Sequence, residues 1–255
     1  MSVKIIDLSV PLQNYASEPS PPQISYYNHE DGARRLAALA GVEPSDFPDS
    51  QAMSNEVVTL TSHAGTHVDA PYHYGSLCEG KPAMRIDEIP LEWCYGPGVL
   101  IDVRHKQPGE EITAGDIQKA LSKINYTLKE GDIALLWTGV DKYWGSPRYM
   151  QMQPGLGLGG VTWLTTHGVK VIGIDAWGLD RSVKKMGEDI RNGADKSVLW
   201  PAHLYGKKKE YLQIEKLANL DKLPPYGFTI AAFPVKLSRG SGAWTRAVAI
   251  LEDKK

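Results

Sequence analysis

The chain opens on VKIIDLSV, residues 3 to 10, whose branched apolar side chains predict a strand. Short apolar runs of the same kind recur at VVTLT (57 to 61), GVLIDV (ending at Val103) and DIALLWTG (Asp132 to Gly139). Three more follow: VKVIGIDA after Gly168, FTIAAFPV from Phe228 to Val235, and RAVAIL from Arg246 to Leu251. Helical spacing appears between them. Ile117, Ala120, Leu121 and Ile124 mark the buried stripe of a helix from about 114 to 124, and Thr113 followed three residues later by Asp116 has the form of a capping box. A second, short helix is predicted from Val161 to His167, stopped by Gly168. Strands alternating with helices predict an α/β fold. No internal repeat or linker composition divides the chain, which predicts one domain over residues 1–255.

Residues 17 to 56 follow another pattern. Pro19, Pro21, Pro22, Pro44 and Pro48 predict mostly loop, interrupted where Ala33, Leu36, Ala37 and Ala40 recur at helical spacing before Gly41. This short amphipathic helix suits two roles equally: cover for the core, or a lid or dimer element.

Composition narrows the choice of partner. With 42% hydrophobic residues, 23% charged residues and a net charge of −2, the chain reads as a soluble globular protein. It has no field for nucleic acid or an anionic membrane, so a small-molecule substrate is expected. The Lys207–Lys209 run, flanked by Tyr205 and Tyr211, reads as a solvated loop. No run of about 18 apolar residues and no signal-peptide pattern is present, which predicts a cytoplasmic location. Cys78 and Cys94 fit neither a disulfide framework nor a metal spacing, so they are expected to be reduced thiols and the chemistry falls to histidines and carboxylates.

That chemistry is concentrated in SHAGTHVDAPYH, residues 62 to 73. If extended, the segment sends the odd-numbered His63, His67, Asp69 and His73 to one face, and Gly65, Thr66, Val68 and Pro71 disfavour a helix there. Imidazole nitrogen with carboxylate oxygen suits zinc, manganese or iron(II). By spacing alone His203, with Glu215 twelve residues on, is a weak additional candidate. His167 reads as a helix-end residue, His105 as solvated, and His29 lies in the irregular N-terminal part, where it could face a substrate pocket. The glycine-rich GLGLGG, 155 to 160, lacks dinucleotide or Walker spacing and reads as a flexible loop. Asp175 and Asp180 sit where a sheet strand ends, and turn or hydrogen-bonding roles are favoured for both. Ser62 and Ser241 lack a triad context, which disfavours a serine nucleophile.

SHAGTHVDAPYH resembles the HxGTHxDxPxH signature of the cyclase-like metal hydrolase family, the bacterial kynurenine formamidase and isatin hydrolase type. The resemblance extends to DLS at 7 to 9, PGL at 154 to 156, GVKVIGIDAWGLD at 168 to 180, and His203 with Glu215 at the family's separation. It implies a swivelling β/β/α domain with a mixed sheet, dimeric or tetrameric, with His63, His67 and Asp69 holding one metal. Asp69 would bridge to a second ion held by His203 and Glu215, and His73 would donate and accept protons. The implied cofactor is one or two zinc ions, with manganese as the alternative. The implied activity is hydrolysis of a carbon–nitrogen bond in an aryl formamide or cyclic amide by a metal-activated water, with a lactonase or lyase of the same fold, or a non-catalytic metal-binding protein, as rivals. One departure stands out: kynurenine formamidases carry an N-terminal Trp that contacts substrate, and this chain has none before Trp93, leaving Tyr15, Tyr26 or Tyr27 to replace it.

Overall fold

The computed structural model describes residues 2–14 and 16–252, so Tyr15 lies outside the described residues. Its centre is a mixed sheet of nine strands: β1 (Val3–Asp7), β2 (His67–Asp69), β3 (Tyr95–Asp102), β4 (Ile133–Trp137), β5 (Val171–Ile174), β6 (Leu212–Glu215), β7 (Tyr226–Ala231), β8 (Gly242–Trp244) and β9 (Val248–Glu252). Their order is β1-β9-β7-β3-β4-β5-β6-β2-β8. The central β3, β4, β5 and β6 run parallel, and antiparallel strands complete both sides. The α/β expectation with a mixed sheet is met.

Alternation within the strands divides the core between the two faces. In β4, Ile133 and Leu135 join a cluster with Val68, Leu100, Ile214 and Phe228, while Ala134 and Leu136 join one with Ile101, Ile117, Leu164 and Ile172. The second cluster contains the buried stripes of α3 (Ala114–Lys123) and α4 (Leu158–Thr166). The capping box is formed: Thr113 Oγ1 accepts from Asp116 N, and the Asp116 carboxylate accepts from Thr113 N.

Several local expectations need correction. The strand expected at VVTLT forms, but two residues earlier, as Asn55–Thr59, which pairs with Gln23–Tyr27 in a separate antiparallel ribbon. The helix expected near residues 33–40 is α1, His29–Ala40, begun a turn earlier by the Asn28–Asp31 capping box and closed by Gly41 at φ 70°. GLGLGG is no flexible loop. Gly157 caps α4, and the glycines permit close packing: a Cβ on Gly155 would stand 1.9 Å from Arg181 N, and one on Gly160 2.5 Å from Leu156 Cδ1. Pro71 begins α2 (Pro71–Tyr74), because a proline at the first helical position forfeits no hydrogen bond. The SHAGTHVDAPYH segment is therefore turn, three-residue strand and helical turn, and its shared face does not come from strand alternation alone.

Candidate metal centre

The site lies where β2 meets the carboxyl end of β6, the side of a parallel sheet on which α/β proteins gather polar groups. His67 stands directly across from Glu215, so cross-strand register sets an imidazole beside a carboxylate. Their closest approach, His67 Nε2 to Glu215 Oε2, is 3.6 Å. Two residues on, Asp69 is wholly buried, with Oδ1 2.6 Å from His63 Nδ1 and 3.2 Å from His67 Nε2. Asp69 Oδ2 is buried without a hydrogen-bond partner. Toward it point His203 Nε2 at 3.8 Å and His73 Nε2 at 4.0 Å, and His203 Nε2 also lies 3.5 Å from Glu215 Oε1. All six residues singled out as metal ligands or proton carrier thus converge. Two triads bring their donor atoms within 4.8 Å of one another: His63, Asp69 and His73, and His67, Asp69 and Glu215.

A buried, unpartnered carboxylate oxygen faced by two imidazole Nε2 atoms has the donor set of a cation site. The histidines' far sides support that fit. His67 donates from Nδ1 to the Gly65 carbonyl at 2.8 Å, leaving Nε2 as the lone-pair face. His203 is likewise held through Nδ1, 2.5 Å from Asp180 Oδ2, while the Asp180 oxygens accept the N–H groups of Ala202 and His203 at the start of α5 (Pro201–Tyr205). Asp180 caps that helix from another segment and orients His203. The hydrogen-bonding role expected of Asp180 holds, and so does that of Asp175, which accepts from Thr138 N, Thr138 Oγ1 and Gly139 N.

Burial disfavours charge on every member of the cluster, and the neighbours decide which groups overcome it. His203 is pushed up to about 9 because Asp180's hydrogen bond and charge outweigh burial. His63 is raised by Asp69 in the same way. Asp69 is held well below the usual carboxylate range, with the surrounding imidazoles outweighing burial. Glu215 is raised, by burial and then by the charge of Asp69. His73 falls to about 4, through burial and the neighbouring imidazoles His63 and His203.

Two neighbours join the cluster that the sequence did not assign to it. Ser241 Oγ lies 3.0 Å from His63 Nε2, so Ser241, His63 and Asp69 stand in a Ser-His-Asp line, correcting the expectation that Ser241 has no triad context. Ser241 is not among the residues lining the adjoining cavity, however, and there it holds His63 in place. Lys216, in a left-handed backbone at φ 57°, is buried; its Nζ donates to the His63 carbonyl at 2.6 Å and pairs with Glu18 at 3.1 Å. Ser241 lies 178 positions from His63, and Lys216 lies 153 from His63 and 198 from Glu18, so no local pattern announces either contact.

The cavity beside the cluster measures about 520 Å³, the size of a small-molecule site, and His63, His67, His73, His203 and Glu215 line it together with Trp177 and Trp200. Trp200 occupies the left-handed region at φ 48°, ψ 49°, immediately before Pro201. That conformation is rare for a bulky side chain and costs about 1–3 kcal/mol. His29, Tyr26 and Tyr27 are absent from the cavity wall; His29 begins α1, and the two tyrosines are exposed on the ribbon, so neither replaces the missing Trp within this chain. His105 and His167 are exposed and paired with Asp116 and the Trp163 carbonyl.

Comparison with known proteins places this arrangement. A family model described as a putative cyclase matches residues 6–181. Kynurenine formamidase of Geobacillus thermodenitrificans is 28% identical over 229 residues, which cover 85% of this chain and 94% of that protein. The crystal structure of an isatin hydrolase bound to the product analogue thioisatinate superposes with a TM-score of 0.77 at 22% identity, covering 98% of this chain and 93% of the other. A protein described as a potential metal-dependent hydrolase with cyclase activity superposes at 0.65 with 19% identity, covering 98% and 100%.

Proposed function

This chain belongs to the cyclase family, and on that footing we propose that it is a metal-dependent hydrolase cleaving the carbon–nitrogen bond of a small aryl formamide or cyclic amide. The observation that carries the reading is the buried Asp69 Oδ2, unpartnered and faced by His73 and His203 beside the His67–Glu215 pair. His63, His67 and Asp69 would hold one ion, with Asp69 bridging toward a second held by His203 and Glu215. Zinc is the first choice and manganese the second, since both accept this donor set. A bound ion supplies Lewis acidity to the scissile carbonyl and lowers the pKa of water.

The chain's own groups carry the proton. His73, the most open of the four histidines with a third of its side chain exposed, faces the cavity and is neutral at pH 7 because its pKa is depressed. Its free imidazole nitrogen accepts a proton from the attacking water as the carbon–oxygen bond forms. The same proton passes to the departing nitrogen as the carbon–nitrogen bond breaks, leaving a carboxylic acid and an amine. Such transfer contributes about 10²- to 10⁴-fold. His67 and His203 keep their Nε2 atoms directed inward through Gly65 and Asp180. The Ser241 alternative, a serine nucleophile, is disfavoured by its position off the cavity wall.

No helix among the described residues is long and apolar enough to cross a membrane. The proposal adds a cytoplasmic setting, consistent with two free buried thiols, and a homodimer or homotetramer, consistent with the exposed Val57, Val58 and Tyr26 of the ribbon. Light scattering of the purified protein tests the latter. The central test is turnover of formanilide, N-formylkynurenine and isatin after chelation and after return of zinc or manganese. Metal-dependent hydrolysis of at least one is expected; none across a wider panel of amides, lactams and esters would overturn the reading.

A further inference from the structure

Arg181 lines the cavity, and the protein uses only one edge of its guanidinium. Nη1 donates to Asp189 Oδ2 at 2.8 Å, whereas Nε and Nη2 have no partner among the described residues and are not enclosed. The side chain is only 14% exposed, and the cavity is where those two nitrogens meet solvent. Asp189 does not neutralise the arginine, because its other oxygen takes Lys185 Nζ at 2.7 Å, so two cations share one anion. Nε and Nη2 form the side of the fork that grips a carboxylate with two parallel hydrogen bonds. Two other arginines of this chain use that side in this way. Arg246 holds Asp7 through Nε at 2.8 Å and Nη2 at 2.7 Å, and Arg104 holds Asp102 at 2.9 and 2.7 Å. No carboxylate of the cavity wall serves Arg181 in the same way. Glu18 is taken by Gly65 N and Lys216 Nζ, Asp180 by the start of α5 and His203 Nδ1, and Glu215 by Leu179 N and the histidine cluster.

From this we propose that Arg181 is a specificity-determining residue whose Nε–Nη2 side receives a carboxylate carried by the substrate apart from the bond to be cleaved. The inference deepens the amide-hydrolase reading, rests on it for the identity of that bond, and narrows the substrate class to amides that bear an acid group. Arg181 and the histidine cluster line one cavity of about 520 Å³, the size of a single small-molecule site. A bidentate, charge-assisted pair is about twice as strong as hydrogen bonds between neutral groups, and its plane fixes the direction of the ligand. Arg181 then orients the substrate while the cluster acts on the amide.

The test reads binding, so that it stands apart from turnover. Calorimetric titration of the metal-loaded protein compares 3- and 4-acetylbenzoate with 3- and 4-nitroacetophenone, neutral molecules of the same shape; none has an amide bond to hydrolyse. At least one carboxylate should bind about tenfold or more tightly than its nitro counterpart. Arg181→Gln should bring the two to within about threefold, and Arg181→Lys should keep part of the preference, since a point charge replaces the fork. Asp189 retains Lys185 as partner in both variants, so neither substitution strands its charge. Should Arg181→Gln fail to fold, the reduced preference of Arg181→Lys carries the same comparison. Bound metal also attracts carboxylates, so metal content is measured in each protein. A preference unchanged in metal-replete Arg181→Gln assigns the anion to the ion and overturns the proposal, as does equal binding of acids and nitro compounds by the unaltered protein. Absence of all amide hydrolysis, with the preference present and dependent on Arg181, would instead overturn only the activity.

Discussion

Replacing Asp180 by Asn isolates the group that orients His203 without altering any proposed ligand. The carboxylate accepts three donors: the N–H groups of Ala202 at 2.8 Å and His203 at 3.1 Å, and His203 Nδ1 at 2.5 Å. An amide has one accepting oxygen, so its NH₂ must face at least one N–H, and the negative charge that favours the Nδ1-protonated ring disappears. Hydrogen bonds to charged groups contribute about 1.5–3 kcal/mol. Losing the imidazole contact alone then corresponds to about a 10- to 100-fold weaker ion at the His203–Glu215 side, the range seen when partners of ligating histidines are removed. Competition with a fluorescent chelator for zinc and for manganese measures this, with circular dichroism to show that the variant is folded. Both ions retained at unchanged affinity in a folded Asp180→Asn protein would refute the argument that Asp180 sets the tautomer of His203.

Four further outcomes are expected. His73→Ala should lose about 10²- to 10⁴-fold in turnover while keeping its metal, whereas Asp69→Ala should lose both; steady-state kinetics beside elemental analysis separates them. Gly242→Ala should weaken metal binding, because its Cβ would stand 2.7 Å from His63 Cε1 and 2.8 Å from the Val68 carbonyl; an unchanged metal content would contradict this. Thr113→Ala should destabilise the fold by about 1 kcal/mol in urea unfolding through loss of the α3 cap. Asp175, raised to about 7 by burial, keeps its proton in the folded state after an unfolded carboxyl at about 3.9 has lost one, so its contribution to stability is greatest below that value and fades as pH rises to 7. Urea midpoints of Asp175→Asn should accordingly lack a decline of about 1 kcal/mol per pH unit between pH 5 and 7 that the unaltered protein shows.

Much of the sheet is legible because its central strands are continuous apolar runs, as in VLID of β3 and ALLW of β4. The strand LQIE, β6, is not, since Gln213 and Glu215 are buried by partners that only the fold assembles. The same division runs through the site. His63, His67, Asp69 and His73 declare themselves by density in eleven residues, but His203 and Glu215 stand out only through a family resemblance, because their spacing alone carries little information. Ser241 and Lys216 reach His63 from segments far along the chain, and a solitary serine or lysine in sequence looks no different from one that faces solvent. Pro71 shows a different failure: read as a helix breaker, it starts a helical turn, because position decides which of proline's two effects applies.

The ladder that joins β8, β2 and β6 has a bearing on how this protein can change over time. Asp69 faces Gln213 on one side and Gly242 on the other, and His67 faces Glu215 and Trp244. Sliding β2 by a single residue would turn both side chains to the opposite face of the sheet. An insertion or deletion within any of the three ladder segments would therefore erase the whole constellation at once, whereas exposed turns away from the site can change length at little cost. Lineages descending from this chain should vary in their loops and keep the lengths of these three short stretches unchanged.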